Sequence, residues 1–280
     1  MTTVKKFGRD RQDKIRDIFR LNFDEPHLQQ LLEKRVRLAS ELYAQHEGKR
    51  VPTDYFSVFF KEETIALPGF TDTKRTWRQW LAKTARQRPR DLVHMVQALV
   101  AECKSNKGTL ITSLHAKSTM VKFGKERVKF IGNEFEEICP QISDITKDLC
   151  VQNTYSSEEI INILCNSPSI RSITIDKKTI SPCEKQNKES AFSLLKLLHM
   201  ANFVNPRKPD PNMELQYSHE EFDPEKILVA SGNWNEMQNY QWEIHPAFHS
   251  YMVSLKEDKE KFKLAPGWKK QNRKKKGKRG

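Results

Sequence analysis

Two stretches of this 280-residue chain gather cations with no acid among them, a composition suited to meeting phosphates. The first is residues 265–280, where Lys269, Lys270, Arg273, Lys274, Lys275, Lys276, Lys278 and Arg279 carry +8 of a net charge of +13. With little apolar content beyond Trp268, this tail cannot offset its ordering entropy and is expected to be disordered in isolation. Two readings fit it: counterion-releasing, sequence-independent contact with nucleic acid, or a solubilising tail. The second stretch is residues 73–90, where Lys74, Arg75, Arg78, Lys83, Arg86, Arg88 and Arg90 give +7. Trp77, Trp80 and Leu81 recur there at i, i+3 and i+4, so the segment reads as an amphipathic helix with an arginine-rich face. Such a face meets phosphate, an acidic partner, or water alone.

Other chemistries lack their residues. A nucleotide hydrolase needs a loop of the form G-x-x-x-x-G-K-[ST] to cradle phosphates, and Lys107-Gly108-Thr109 has neither the preceding glycine nor the order. No G-x-S-x-G, H-E-x-x-H or H-x-E with C-x-x-C occurs. Cys103, Cys139, Cys150, Cys165 and Cys183 form no C-x-x-C pair, and His245 and His249, four apart, have no further ligand nearby to complete a metal shell. The expectation is a non-enzymatic protein with no cofactor and no metal. An N-terminus without a secretory apolar stretch, and no apolar run near the ~20 residues that span a bilayer, point to a cytoplasmic protein with no membrane partner.

The elements that must hold these groups read as mainly helical. Residues 12–20 and 26–43 have helical patterning, the second with Asp24 as N-cap and Pro26 in its first turn. The aromatic run at residues 55–60 reads as core, and Pro68-Gly69 as a turn before the basic helix. Pro89 interrupts that helix and Asp91 opens another, which ends near Lys107-Gly108. Nothing in the first 130 residues alternates with period two for long enough to suggest a sheet. Further helices are expected over residues 135–150, over 160–165 behind a Ser156/Glu159 capping box, and over 189–203. Residues 213–217 and 240–244 then alternate as strands. Helices followed by two strands give the order of a winged helix-turn-helix, whose third helix, about residues 188–203, can enter a major groove; such modules also serve as docking units. The expected fold is mainly α: a helical N-terminal domain (1–132), a winged helix domain with a small β-wing (133–256) and a disordered basic tail (257–280).

Three segments resemble the C-terminal part of bacterial STAND/KAP-like P-loop ATPases, several of which act in phage defence. "DEPHLQQLLEKRV" at residues 24–36 resembles the helix after the ATPase core, "RPRDL" at 88–92 the opening of a lid-domain helix, and "WEIHPAF" at 242–248 the close of the appended winged helix. The resemblance implies a lid and winged-helix piece without the Walker-bearing core. It also implies a phosphate-sensing role for Arg88 or Arg90, whose guanidinium forks suit phosphate oxygens. The same residues also read simply as a helix start, with Pro89 in the first turn and Asp91 near the dipole.

The functional expectation is a regulatory or nucleic-acid-binding protein, with DNA the favoured ligand. Arg75, Arg78, Lys83, Arg86, Lys188, Lys196, Lys269, Lys270, Arg273, Lys274, Lys275 and Lys276 would contact it, and the helix near residues 188–199 would supply any sequence preference. The alternative is an adaptor that docks on a P-loop ATPase or effector partner, in phage defence or elsewhere.

Overall fold

The computed structural model describes residues 25–67, 70–86, 88–166, 173–175, 178–180, 189–209, 215–217, 229 and 231–264. The expectations for residues 12–20, Asp24, Lys188 and the tail from 265 lie outside them. The chain is mainly helical, with small antiparallel sheets.

The first helix, α1 (Glu25–His46), has Pro26 in its first turn and buries Leu28, Leu32, Val36, Ser40 and Ala44 along one stripe. After it, Phe60 sits in the core and stacks on Trp77 at 4.5 Å. Here the structure departs from the sequence reading. Residues 73–76 are not helical: β1 (Thr64–Leu67) and β2 (Phe70–Thr76) form an antiparallel hairpin. Thr64, Ile65, Thr71, Thr73 and Thr76 are β-branched, which favours pleated backbone over the helix that the tryptophan spacing suggests; the turn expected at Pro68-Gly69 lies outside the described residues. The helix α2 (Trp77–Thr84) starts only after Thr76, whose hydroxyl accepts from the Gln79 amide while the Gln79 side chain accepts from the Thr76 amide.

Helix α3 (Pro89–Ser105) begins with Pro89, as its missing N–H allows. The extended link through Ile111 pairs with Phe60, and α4 (Ser113–Glu134) follows behind a second capping box between Thr112 and His115. The helix expected over residues 135–150 is reduced to α5 (Ile142–Asp148), because Pro140 cannot donate to the preceding turn.

In the C-terminal half, β3 (Thr154–Ser156) leads into α6 (Ser157–Asn166), with the Ser156/Glu159 box formed as expected. A hairpin of β4 (Ile173–Ile175) and β5 (Lys178–Ile180) precedes α7 (Glu189–Met200). Next come β6 (Val204–Pro209), β7 (Leu215–Tyr217), the short α8 (Trp234–Met237), β8 (Gln241–Ile244) and α9 (Pro246–Leu264). The antiparallel sheet has the order β3-β8-β6-β7. Helix α9 continues to Leu264, so the first part of the expected tail, residues 257–264, is helical.

One contiguous core runs from Leu28 to Met252, across the boundary expected near residue 132. Its central contact is α4 against α9, where Gly124 lets the two helices approach closely. Among the described residues, no helix is long and apolar enough to cross a membrane.

Candidate nucleic-acid interface

The cations expected to form one basic face do not. Arg86 is 2% exposed. Its Nε and Nη2 donate to Asp91 Oδ2 at 3.0 and 2.6 Å, its Nη1 donates to the Ala201 carbonyl, and its guanidinium lies over the Phe248 ring. It is a core residue and cannot reach a polyanion. Lys83 is held at 3.7 Å from Glu25, its side chain 15% exposed, and burial pulls its pKa down to about 8. Arg78 donates to Glu33 at 3.0 Å in an open cleft of about 470 Å³ rimmed by Asp54, Glu62 and Glu63, which makes its surroundings acidic. Arg75 is exposed on β2. Ion pairing and burial have therefore taken up most of the charge of residues 73–90.

The two arginines of the "RPRD" motif are also accounted for. Arg88 grips both carboxylate oxygens of Glu134, at 3.0 and 3.4 Å. Arg90 is exposed, with its guanidinium 5.5 Å from the centre of the Phe130 ring. Asp91 turns inward, where Arg127 Nη1 donates to Oδ1 at 2.5 Å opposite Arg86. Asp91 is thus a buried hub for two guanidiniums, a role that neither the sensor reading nor the helix-start reading of this motif anticipated.

Helix α7, the expected groove reader, offers little surface. Ser190, Ala191, Phe192, Leu194, Leu195, Leu197 and Leu198 are buried, leaving Glu189, Lys196 and Met200 exposed. A helix with one cation on so narrow a face has no set of base-reading side chains. His199 packs edge-on to Trp242 at 6.0 Å, and burial pushes its pKa down to about 4. Because the unfolded chain takes a proton that the folded one refuses, stability should be full above about pH 6.5 and fall as pH drops toward 4. The loss approaches roughly 3 kcal/mol. Urea unfolding of the wild type and His199→Gln at pH 7 and pH 4.5 checks this; equal losses in both would exclude it.

The cations that the structure does bring together are ones the sequence reading passed over. Lys122, Lys125 and Lys129 are exposed on one side of α4, at the i, i+3 and i+7 positions of a single face, with Lys117 at its flank. Glu102 ties the end of α3 to the same stretch, accepting from Ser118 at 2.7 Å and from Lys122 at 2.8 Å. Those bonds hold the Glu102 carboxyl down at about 2. Lys104 and Lys107 are exposed just beyond it. The signal was present in the sequence as Lys122, Lys125 and Lys129 at helical spacing, but Glu126, which is exposed on the same face, made the run read as an ordinary mixed-charge surface. Buried His245 and His249 are engaged locally, His245 Nδ1 accepting from the Ala247 amide and His249 meeting the Ile244 carbonyl.

Compared with known protein families, with characterised proteins and with solved structures, the chain shows no significant match.

Proposed function

We propose that this chain is a non-enzymatic nucleic-acid-binding protein that holds DNA through its phosphates. The lysine face of α4, the end of α3 and the basic residues 265–280 would make the contacts. The observation that carries this reading is that Lys122, Lys125 and Lys129 lie exposed on one face of α4. Lysine ammonium groups of this kind contact backbone phosphate rather than base edges, so the affinity is sequence-independent and driven by counterion release. A winged-helix arrangement of the C-terminal half is supported by β8 lying between β3 and β6 in a small antiparallel sheet whose strands β6, β7 and β8 follow α6 and α7, although the β4-β5 hairpin intervenes between those helices. The narrow exposed face of α7 argues that this module packs rather than reads sequence.

Binding to a duplex of mixed sequence, followed by fluorescence anisotropy across several salt concentrations, tests the reading. Replacing Lys125 and Lys129 together with alanine should flatten the salt slope by nearly 2, at about 0.9 per phosphate contact. Removing residues 265–280 should flatten it further. Binding indifferent to salt, or unchanged by both alterations, would overturn it.

A second reading, docking on a P-loop ATPase, is favoured by Arg90, which stands exposed in the first turn of α3 with no carboxylate partner among the described residues. It predicts co-purification with a Walker-motif ATPase from the native host and loss of that complex in Arg90→Ala.

A further inference from the structure

An open groove of about 330 Å³ runs between α1 and α3, floored by Phe59, Phe60 and Ile111 and walled by Leu31, Val96 and Val100. Arg35 and Gln97 are the polar side chains at its edge. Farther along α1, Leu38 and Leu42 stand 57% and 58% exposed. An apolar groove of this kind is unfavourable in water and is normally covered.

We infer that the groove is a docking site for the chain's own N-terminal segment, residues 15–23, which lies before the described residues. Two observations select this occupant. The first is pattern: Ile15, Ile18 and Phe19 fall at i, i+3 and i+4, with Phe23 at i+8, giving one apolar stripe on a segment otherwise rich in charge. The second is reach. The segment joins α1 at Glu25, and the α1 residues that line the groove, Leu31 to Ala39, lie about 9–21 Å along the helix from that point at 1.5 Å per residue. A helical turn at residues 15–19 leaves residues 20–24 as the link to Glu25, up to ~20 Å when extended, so Ile15, Ile18 and Phe19 can arrive in the groove.

The tether also decides against a second copy of the chain. A segment held by so short a connection competes at an effective concentration of about millimolar, whereas a separate copy at about micromolar concentration starts roughly 1,000-fold behind for the same contacts. The groove therefore fills in cis, and Arg35 at its edge leaves room for an acidic side chain such as Asp17.

The test is photo-crosslinking in the full chain with p-benzoylphenylalanine in place of Phe19. The expected product is a monomer in which residue 19 is joined to peptides containing Leu31–Ala39 or Leu92–Val100, as mapped by mass spectrometry. Ala39→Glu with Val100→Glu, both at exposed positions, should cut that yield at least fivefold while the circular dichroism spectrum stays unchanged. Crosslinks between two chains would assign the groove to a second copy and overturn the inference. So would crosslinks that map elsewhere, no crosslink at all, or a yield that the two glutamates leave untouched.

Discussion

Asp91→Ala should be the most damaging single substitution in the described part of the chain, with a loss of about 5 kcal/mol. Its carboxylate is 2% exposed and takes Arg86 on one oxygen and Arg127 on the other, each guanidinium 1% exposed as a side chain. Removing it strands two buried cations. Breaking one buried pair typically costs about 3–5 kcal/mol because the remaining charge is uncompensated, and here one substitution breaks two. Arg86 adds to the effect through its backbone. Its φ of 51° places it in the left-handed region just after α2, a position where glycine is the usual occupant. The pair with Asp91 offsets that conformation. Rings on either side, Phe248 near Arg86 and Phe123 and Phe130 near Arg127, exclude water that would otherwise solvate the freed cations. Urea unfolding monitored by tryptophan fluorescence measures the loss. The control replaces all three charged groups together, Arg86→Met, Asp91→Leu and Arg127→Met. It should be far less destabilising than Asp91→Ala alone, because it removes the charges instead of stranding them. If the triple variant is the worse of the two, the hub is not what the geometry indicates.

Gly124→Ala sets two effects of opposite sign against each other. In an isolated helix alanine is favoured over glycine by about 1 kcal/mol. In α4, a Cβ at position 124 would lie 2.8 Å from the Tyr251 Cβ and 3.0 Å from the Ala247 carbonyl oxygen of α9. Neither atom is the end of a flexible side chain, so relief requires the two helices to separate. Overpacking of this sort costs about 1–3 kcal/mol. We expect the packing cost to win, with a net loss of about 1 kcal/mol and a Tm lower by roughly 2–4 °C for a chain of this size. Gly124→Val should lose more. A raised Tm for the alanine variant would show that the α4–α9 crossing is looser than the distances imply. Because this crossing joins the two halves of the chain, the Gly124 variants should also show whether they unfold as one unit.

Much of the architecture was legible residue by residue. Pro26 and Pro89 sit in helix first turns, Ser156 and Glu159 close a capping box, and Pro206 stands beyond the end of α7 in a strand, all through local backbone chemistry that neighbours in sequence decide. The same reasoning could have found the start of α2, since Thr76 and Gln79 have capping-box spacing, and with it the hairpin that precedes it. The tryptophan stripe concealed both, because Trp77, Trp80 and Leu81 continued a helical period backwards into residues whose β-branching opposed it.

The destination of each charge was a different kind of question. Seven cations in residues 73–90 are countable in sequence, but the acids that engage them are distant along the chain or on other elements: Glu25 and Glu33 on α1, Glu134 at the end of α4, and Asp91 shared with Arg127 from α4. Coulomb attraction and desolvation act through space, so a local window cannot tell an arginine that faces solvent from one buried against a carboxylate. Composition and local spacing determined that the chain is basic, mainly helical and capped where it is capped. Tertiary packing alone decided that Arg86 belongs to the core, that α7 has almost no free face, and that Glu102 of α3 pairs with Lys122 of α4, because each depends on which helices meet.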